Sequence, residues 1–190
     1  MGKTIFCAVI VALVLVGTVA AEPVRVSLET THGTVVLALD AAKAPKTVEN
    51  FLAYLRSGHY NGTVFHRVMP GFVIQGGGYE PGLKERPTRP PVINEAKNGL
   101  SNLRGTIAMA RTSDPHSASA QFFINLTDNV RLDHRDESLP GWGYCVFGSV
   151  VEGMEVVDAI AAVPTTSAGG HGNVPVEDVV LIRAAEVKAL

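Results

Sequence analysis

Cysteine is scarce in this chain: two residues, Cys7 and Cys145, in 190. Cys7 falls inside an N-terminal apolar segment expected to be removed, so Cys145 is left without a partner and no internal disulfide is expected. Cys145 sits in the apolar run Tyr144-Cys145-Val146-Phe147 and reads as a small buried hydrophobe. There is no His-Glu-x-x-His and no paired cysteine, and the six histidines (His32, His59, His66, His116, His134, His171) match no metal-ligand spacing. No Gly-x-Ser-x-Gly elbow is present, and Ser117 and Ser119 near His116 lie in a turn-like stretch where small polar residues are ordinary. Gly76-Gly77-Gly78 follows a strand pattern, but no helix and no Lys-Ser/Thr come after it, so it fails as a phosphate cradle. Positive charge is also short. Sixteen Lys and Arg face eighteen Asp and Glu, a net charge of −2, with no basic cluster. Nucleic-acid binding is thereby excluded.

Long hydrophobic runs are limited to one, Ile5 to Val16, which is too short for a comfortable membrane span. Lys3 precedes it and Val19-Ala20-Ala21 follows it. That order is the pattern of a cleaved secretory signal over residues 1–21, with one domain over residues 22–190. Export to a periplasm is expected, secretion being the alternative, with no membrane anchor after cleavage. Loss of Lys3 leaves 15 basic and 18 acidic residues, a net −3.

Val24, Val26 and Leu28 alternate with polar residues, as do Val35, Leu37 and Leu39 after Thr31-His32-Gly33, which predicts a hairpin over residues 24–40. Ala44-Pro45 opens a helix whose Val48, Phe51, Leu52 and Leu55 form one stripe, with Gly58 at its stop. Residues 78–104 hold four prolines and read as a long irregular connection. Strands are expected over residues 105–110, 121–125, 144–151 and 179–187, a second helix over 153–162, and a loop over 169–175. Many short strands with two separated helices point to an antiparallel barrel or sandwich.

The chemistry converges on Phe65-His66-Arg67-Val68-Met69-Pro70-Gly71-Phe72-Val73-Ile74-Gln75-Gly76-Gly77-Gly78, read as strand, Pro-Gly turn, strand. Arg67 is a permanent cation among apolar residues, so its five donors require a structural partner or a ligand. Gln121 and Phe123 alternate on one strand face, leaving Phe122 and Ile124 for the core. With Phe72, Gln75 and Met109 they describe an oily pocket with donors aimed into it. Rotation about a prolyl peptide bond is one reaction that needs no more than this, because no bond is made or broken.

These segments resemble the cyclophilin family of peptidyl-prolyl cis-trans isomerases. The stretch from Phe65 to Gly77 is a close match, and Gly105-Thr106-Ile107-Ala108-Met109-Ala110, Ser119-Ala120-Gln121-Phe122-Phe123-Ile124, Val146-Phe147-Gly148 and Gly153-Met154 follow in the family's order. The resemblance covers residues 24–187. It implies a mainly β fold: a closed eight-stranded antiparallel barrel with two capping helices and a substrate groove on its outer face. It also implies Arg67, Phe72 and Gln75 as the catalytic set, with Arg67 as the cation and Gln75 holding the substrate carbonyl. Substrate contacts are implied at Met109, Ala110, Arg111, Gln121, Phe123, Leu132 and Tyr144, and His66, adjacent to Arg67, is a further candidate contact. Neither cofactor nor metal is expected. Partners would be proline-containing unfolded or extended polypeptides, engaged by a monomer that assists the folding of exported proteins. Arg131 stands where the best-known eukaryotic members have Trp, Tyr144 where they have His, and Val73 where they have Met. Absence of that Trp implies weak cyclosporin binding, since the indole supplies apolar contact and a donor. Asn61-Gly62-Thr63 and Asn125-Leu126-Thr127 are formal glycosylation sequons, read here as chance occurrences.

Overall fold

The structure is a computed structural model that describes residues 23–187; the segment expected to be a signal lies outside them. The hairpin forms as the alternation predicts. Strands β1 (Val24–Thr30) and β2 (Gly33–Leu39) pair antiparallel around Thr31-His32, and Val26, Leu28, Val35, Leu37 and Leu39 all turn into the core. Helix α1 (Pro45–Arg56) follows, with Pro45 in its first turn and Val48, Phe51, Leu52 and Leu55 buried. Its N-cap, Ala44, has no side chain to satisfy the free N–H groups. Glu95, far along the chain, does so instead: its carboxylate accepts from the Lys46 N–H at 3.2 Å and the Thr47 N–H at 2.8 Å. Free helix N–H groups favour an anion, so the long connection is pinned to the start of α1.

Four short strands come next: β3 (Thr63–Val64), β4 (Arg67–Met69), β5 (Val73–Gly76) and β6 (Tyr79–Glu80). The predicted Pro-Gly turn joins β4 to β5. Gly71 has φ +72° and the Phe72 N–H donates to the Met69 carbonyl at 3.0 Å, a type II turn in which glycine at the third position avoids a Cβ clash. The connection over residues 78–104 is less irregular than expected. β6 pairs with β7 (Lys84–Glu85), and Ala96–Asn98 forms a 3₁₀ turn. Strands β8 (Thr106–Met109), β9 (Phe122–Asn125) and β10 (Val146–Glu152) and helix α2 (Met154–Ala161) fall close to their expected positions. Residues 169–175 are not a loop throughout: β11 (Thr165–Ala168) and β12 (His171–Pro175) make an exposed hairpin before β13 (Val180–Val187).

The main sheet has nine strands in the order β3-β13-β1-β2-β10-β8-β9-β5-β4. A closed eight-stranded barrel was expected; among the described residues the ladder is open, with β3 and β4 as its ends. The reason lies in the chain itself. β3 and β4 are consecutive, separated only by Phe65-His66, which can span about 11 Å at most from Val64 to Arg67. The two ends are therefore bridged covalently, not by a hydrogen-bonded pair.

Inside, Phe51, Tyr60, Phe65, Phe122 and Phe147 form one aromatic cluster. Phe122 meets Phe51, Tyr60 and Phe65 edge-on at 5.7, 5.6 and 6.1 Å between ring centroids. Its side chain is 0% exposed. Phe122→Ala should therefore lower the unfolding free energy by about 3–5 kcal/mol, measured as a fall in the urea midpoint at unchanged slope.

Candidate functional site

Strand pairing builds the site. Arg67 on β4 stands opposite Gln75 on β5, Gln75 opposite Phe123 on β9, and Phe123 opposite Ala108 on β8. Directly opposed residues share a face, so this row crosses four strands on one side of the sheet. The residues one step along, Val68, Ile74, Ile124 and Phe122, face the core. The sheet is thus apolar on both faces. Val73, Ala108, Phe123 and Val146 form a second buried cluster on the outer face, with Phe72, Ala110, Leu132 and Tyr144 packed against it.

Within this outer layer lies a cleft of about 200 Å³ lined by Arg67, Phe72, Val73, Gln75, Ala110, Arg111, Phe123, Leu132 and Tyr144. Arg67 Nη1 donates to Gln75 Oε1 at 3.2 Å, and Gln75 Nε2 donates to Gln121 Oε1 at 3.0 Å. The amide of Gln75 is held at both ends, yet its nitrogen carries two protons and spends only one on Gln121. Arg67 makes no ion pair among the described residues. The Gln121 side chain lies so close to Gly78 that a Cβ there would sit 2.5 Å from Gln121 Cγ, which explains a glycine at that position. The walls are aromatic: Phe123 and Tyr144 meet edge-on at 5.7 Å, the Arg111 guanidinium lies 4.5 Å from the Tyr144 ring centre, and that of Arg131 lies 4.8 Å from Phe72.

Two residues expected at the site lie elsewhere. Met109, 2% exposed, belongs to the inner core, because the alternation along β8 sends Ala108, not Met109, to the cleft face. His66, 4% exposed, is turned away from the cleft, against the rings of Tyr79 at 4.5 Å and His171 at 6.4 Å. Burial, the neighbouring charge of His171 and that of Arg67 lower its pKa to about 4. Gln121 reaches the cleft through Gln75 without lining it. Trp142 packs between His116 and His134 and is not part of the lining. Cys145 is buried, and burial pushes its thiol up to about 11, which removes it as a nucleophile near neutral pH.

A buried polar network beneath the cleft was not anticipated from the sequence. Asn125 Nδ2 donates to Asn102 Oδ1 at 3.2 Å and Thr106 Oγ1 at 2.9 Å. Asn129 Nδ2 donates to Asn125 Oδ1 at 2.8 Å and to the Phe72 carbonyl at 3.0 Å. Asn102 in turn donates to Asp133 and to the Tyr144 carbonyl. Both aromatic walls are therefore fixed by their backbones to one set of amides. The signal available was an Asn closing an otherwise apolar strand, Phe122-Phe123-Ile124-Asn125, since a buried amide must be satisfied. Because the Asn125 side-chain nitrogen is 0% exposed and doubly bonded, it offers no glycan acceptor in the folded state.

Comparison with known proteins adds three findings. Residues 25–187 match the family described as cyclophilin type peptidyl-prolyl cis-trans isomerase/CLD. The chain is 58% identical over 156 residues to peptidyl-prolyl cis-trans isomerase B of Escherichia coli (strain K12), covering 82% of this chain and 95% of that protein. It is 50% identical over 192 residues to peptidyl-prolyl cis-trans isomerase A of Dickeya dadantii (strain 3937), covering 99% and 100%. Among solved structures, a cyclophilin type peptidyl-prolyl cis-trans isomerase of Cryptosporidium parvum superposes with a TM-score of 0.73 at 23% identity, over 88% of this chain and 99% of that one. At that identity the likeness speaks for the fold.

The buried imidazole gives a pH test. Unfolded His66 takes a proton near its ordinary 6.5, whereas the folded one does so only near 4, so the unfolded state binds more protons in between. Stability should fall as pH drops from about 6.5 to about 4, by up to about 3 kcal/mol from this group. Urea unfolding at several pH values should show that slope reduced in His66→Phe.

Proposed function

The chain belongs to the cyclophilin-type peptidyl-prolyl cis-trans isomerases and is an enzyme of that activity; from this premise we propose that the cleft around Arg67 is where X-Pro bonds are turned. The observation that carries the proposal is a guanidinium without a carboxylate partner among the described residues, held by Gln75 at the edge of an apolar cleft. The barrier to prolyl rotation is about 18–20 kcal/mol because the nitrogen lone pair is delocalised into the carbonyl. Twisting the bond returns that lone pair to the nitrogen. A donor fixed beside the nitrogen stabilises the twisted form more than either planar form, which is the condition for catalysis. Phe72, Phe123 and Leu132 grip the pyrrolidine ring, and the free proton of Gln75 Nε2 holds the substrate carbonyl. Ala110, Arg111 and Tyr144 run along the groove. No step requires a metal or cofactor.

The N-terminal segment supports action outside the cytoplasm, in the periplasm or as a secreted protein, on extended or unfolded exported polypeptides, with a monomer as the working unit. Arg131 in place of an indole leaves cyclosporin binding weak. A binding or holding role in the same groove, without turnover, is the reading to separate from catalysis. Nuclear magnetic resonance exchange on a short X-Pro peptide does so. The mature protein should speed cis-trans exchange, and Arg67→Ala should cut that acceleration by about 10²–10³-fold with the fold intact. An unchanged rate in the variant would remove Arg67 from the mechanism.

A further inference from the structure

Three guanidiniums border one small cleft, and two of them have an arrangement that Arg67 lacks. Arg131 is exposed, lies over Phe72, and makes no side-chain hydrogen bond or ion pair among the described residues. Arg111 lies over Tyr144 and is anchored by donating from Nε to the Gly143 carbonyl at 3.0 Å and from Nη1 to the Thr112 carbonyl at 2.9 Å, leaving Nη2 uncommitted. Stacking on a ring occupies the flat face of a guanidinium and leaves its in-plane N–H groups available. That is the edge which binds a carboxylate, with two parallel donors where the fork is free. Asp133, next to the cleft residue Leu132, accepts its hydrogen bonds from Ser101 and Asn102 and forms no ion pair with either guanidinium among the described residues. Elsewhere the protein pairs its cations readily, as at Arg56–Glu186 and Arg104–Asp158. The cleft rim thus gathers three guanidiniums, none of them in an ion pair among the described residues, in a chain whose net charge is −2.

We propose that Arg111 and Arg131 make this isomerase selective for acidic prolyl segments, those carrying an Asp or Glu within two residues of the proline. The inference rests on the cleft being the catalytic site. Its mechanism is additional binding energy outside the ring pocket, from charge-assisted hydrogen bonds to preorganised guanidiniums. Each contact is solvent-exposed, so each adds a modest factor and is screened by salt.

The test uses the mature protein and a peptide series with Ala, Glu or Lys placed in turn at the four positions flanking a single proline. Exchange spectroscopy gives kcat/KM for each. At low salt the best Glu peptide should exceed its Lys counterpart by about fivefold. At about 0.5 M salt, where the Debye length is about 4 Å, the ratio should approach one. Arg131→Gln and Arg111→Gln should each lower the ratio, and Arg131→Glu should bring it to one or below. Arg131→Gln touches an exposed side chain, so it reports even if Arg111→Gln disturbs the Gly143 segment. Equal rates for Glu and Lys peptides, with the Ala peptide still catalysed, overturn the selectivity alone. So does a preference that survives in the double Gln variant. Failure to catalyse even the Ala peptide overturns the assignment of the cleft, and the selectivity with it.

Discussion

One hydrogen bond across two neighbouring strands organises the functional surface: Arg67 Nη1 to Gln75 Oε1, 3.2 Å. It exists because the Pro70-Gly71 turn sets the register of β4 on β5, placing the two residues directly opposite. A slip of one residue would send Arg67 inward and bring Val68 out. A buried, unpaired guanidinium would be costly, so the same register that places the cation also protects the core. Gln75 then passes the constraint to Gln121, and Gly78 makes room for that amide.

The cleft owes its rigidity to a layer it does not display. Apolar rings give a pocket its shape but no fixed position, since a ring can slide along a smooth surface. Here the carbonyls of Phe72 and Tyr144 are bonded by Asn129 and Asn102, and those amides are tied together through Asn125. A polar network whose amide protons are all donated to protein acceptors favours one arrangement over near neighbours. Phe65-His66 adds a second restraint. These two residues join the ends of the open sheet immediately before Arg67, so the position of β4 is tied through the chain to that of β3.

Legibility in the sequence followed the range of each interaction. The hairpin, α1, the Pro-Gly turn and the facing of Gln121 against Phe122 depend on residues a few positions apart, and alternation or turn chemistry exposes them. The phase of β8, and with it the face of Met109, is not legible because Ile107, Ala108 and Met109 are all apolar and all buried. A strand covered on both sides carries no polar mark to fix its phase. The hairpin of β11 and β12 leaves no trace in the pattern because all four residues of β11 are exposed and carry no apolar alternation. The Glu95 cap on α1 and the Asn102–Asn125–Asn129 network join residues far apart in the chain, and no local pattern announces them. The open ladder depends on which ends meet, a property of the whole sheet that strand counting cannot supply. Adjacency to Arg67 does not bring His66 to the substrate, because neighbours in an extended chain point in opposite directions.

The central claim is that a fixed positive charge, more than the shape of the cleft, lowers the rotation barrier. Replacing Arg67 by citrulline keeps the side-chain outline and three of its five N–H groups, including a terminal NH₂ that can face Gln75, while an uncharged oxygen takes the place of the other terminal nitrogen. Exchange rates of an X-Pro peptide measured with that protein separate the two contributions directly. A loss of about 10²-fold or more, with peptide affinity and fold retained, is the predicted result; a citrulline protein as fast as the parent would contradict it.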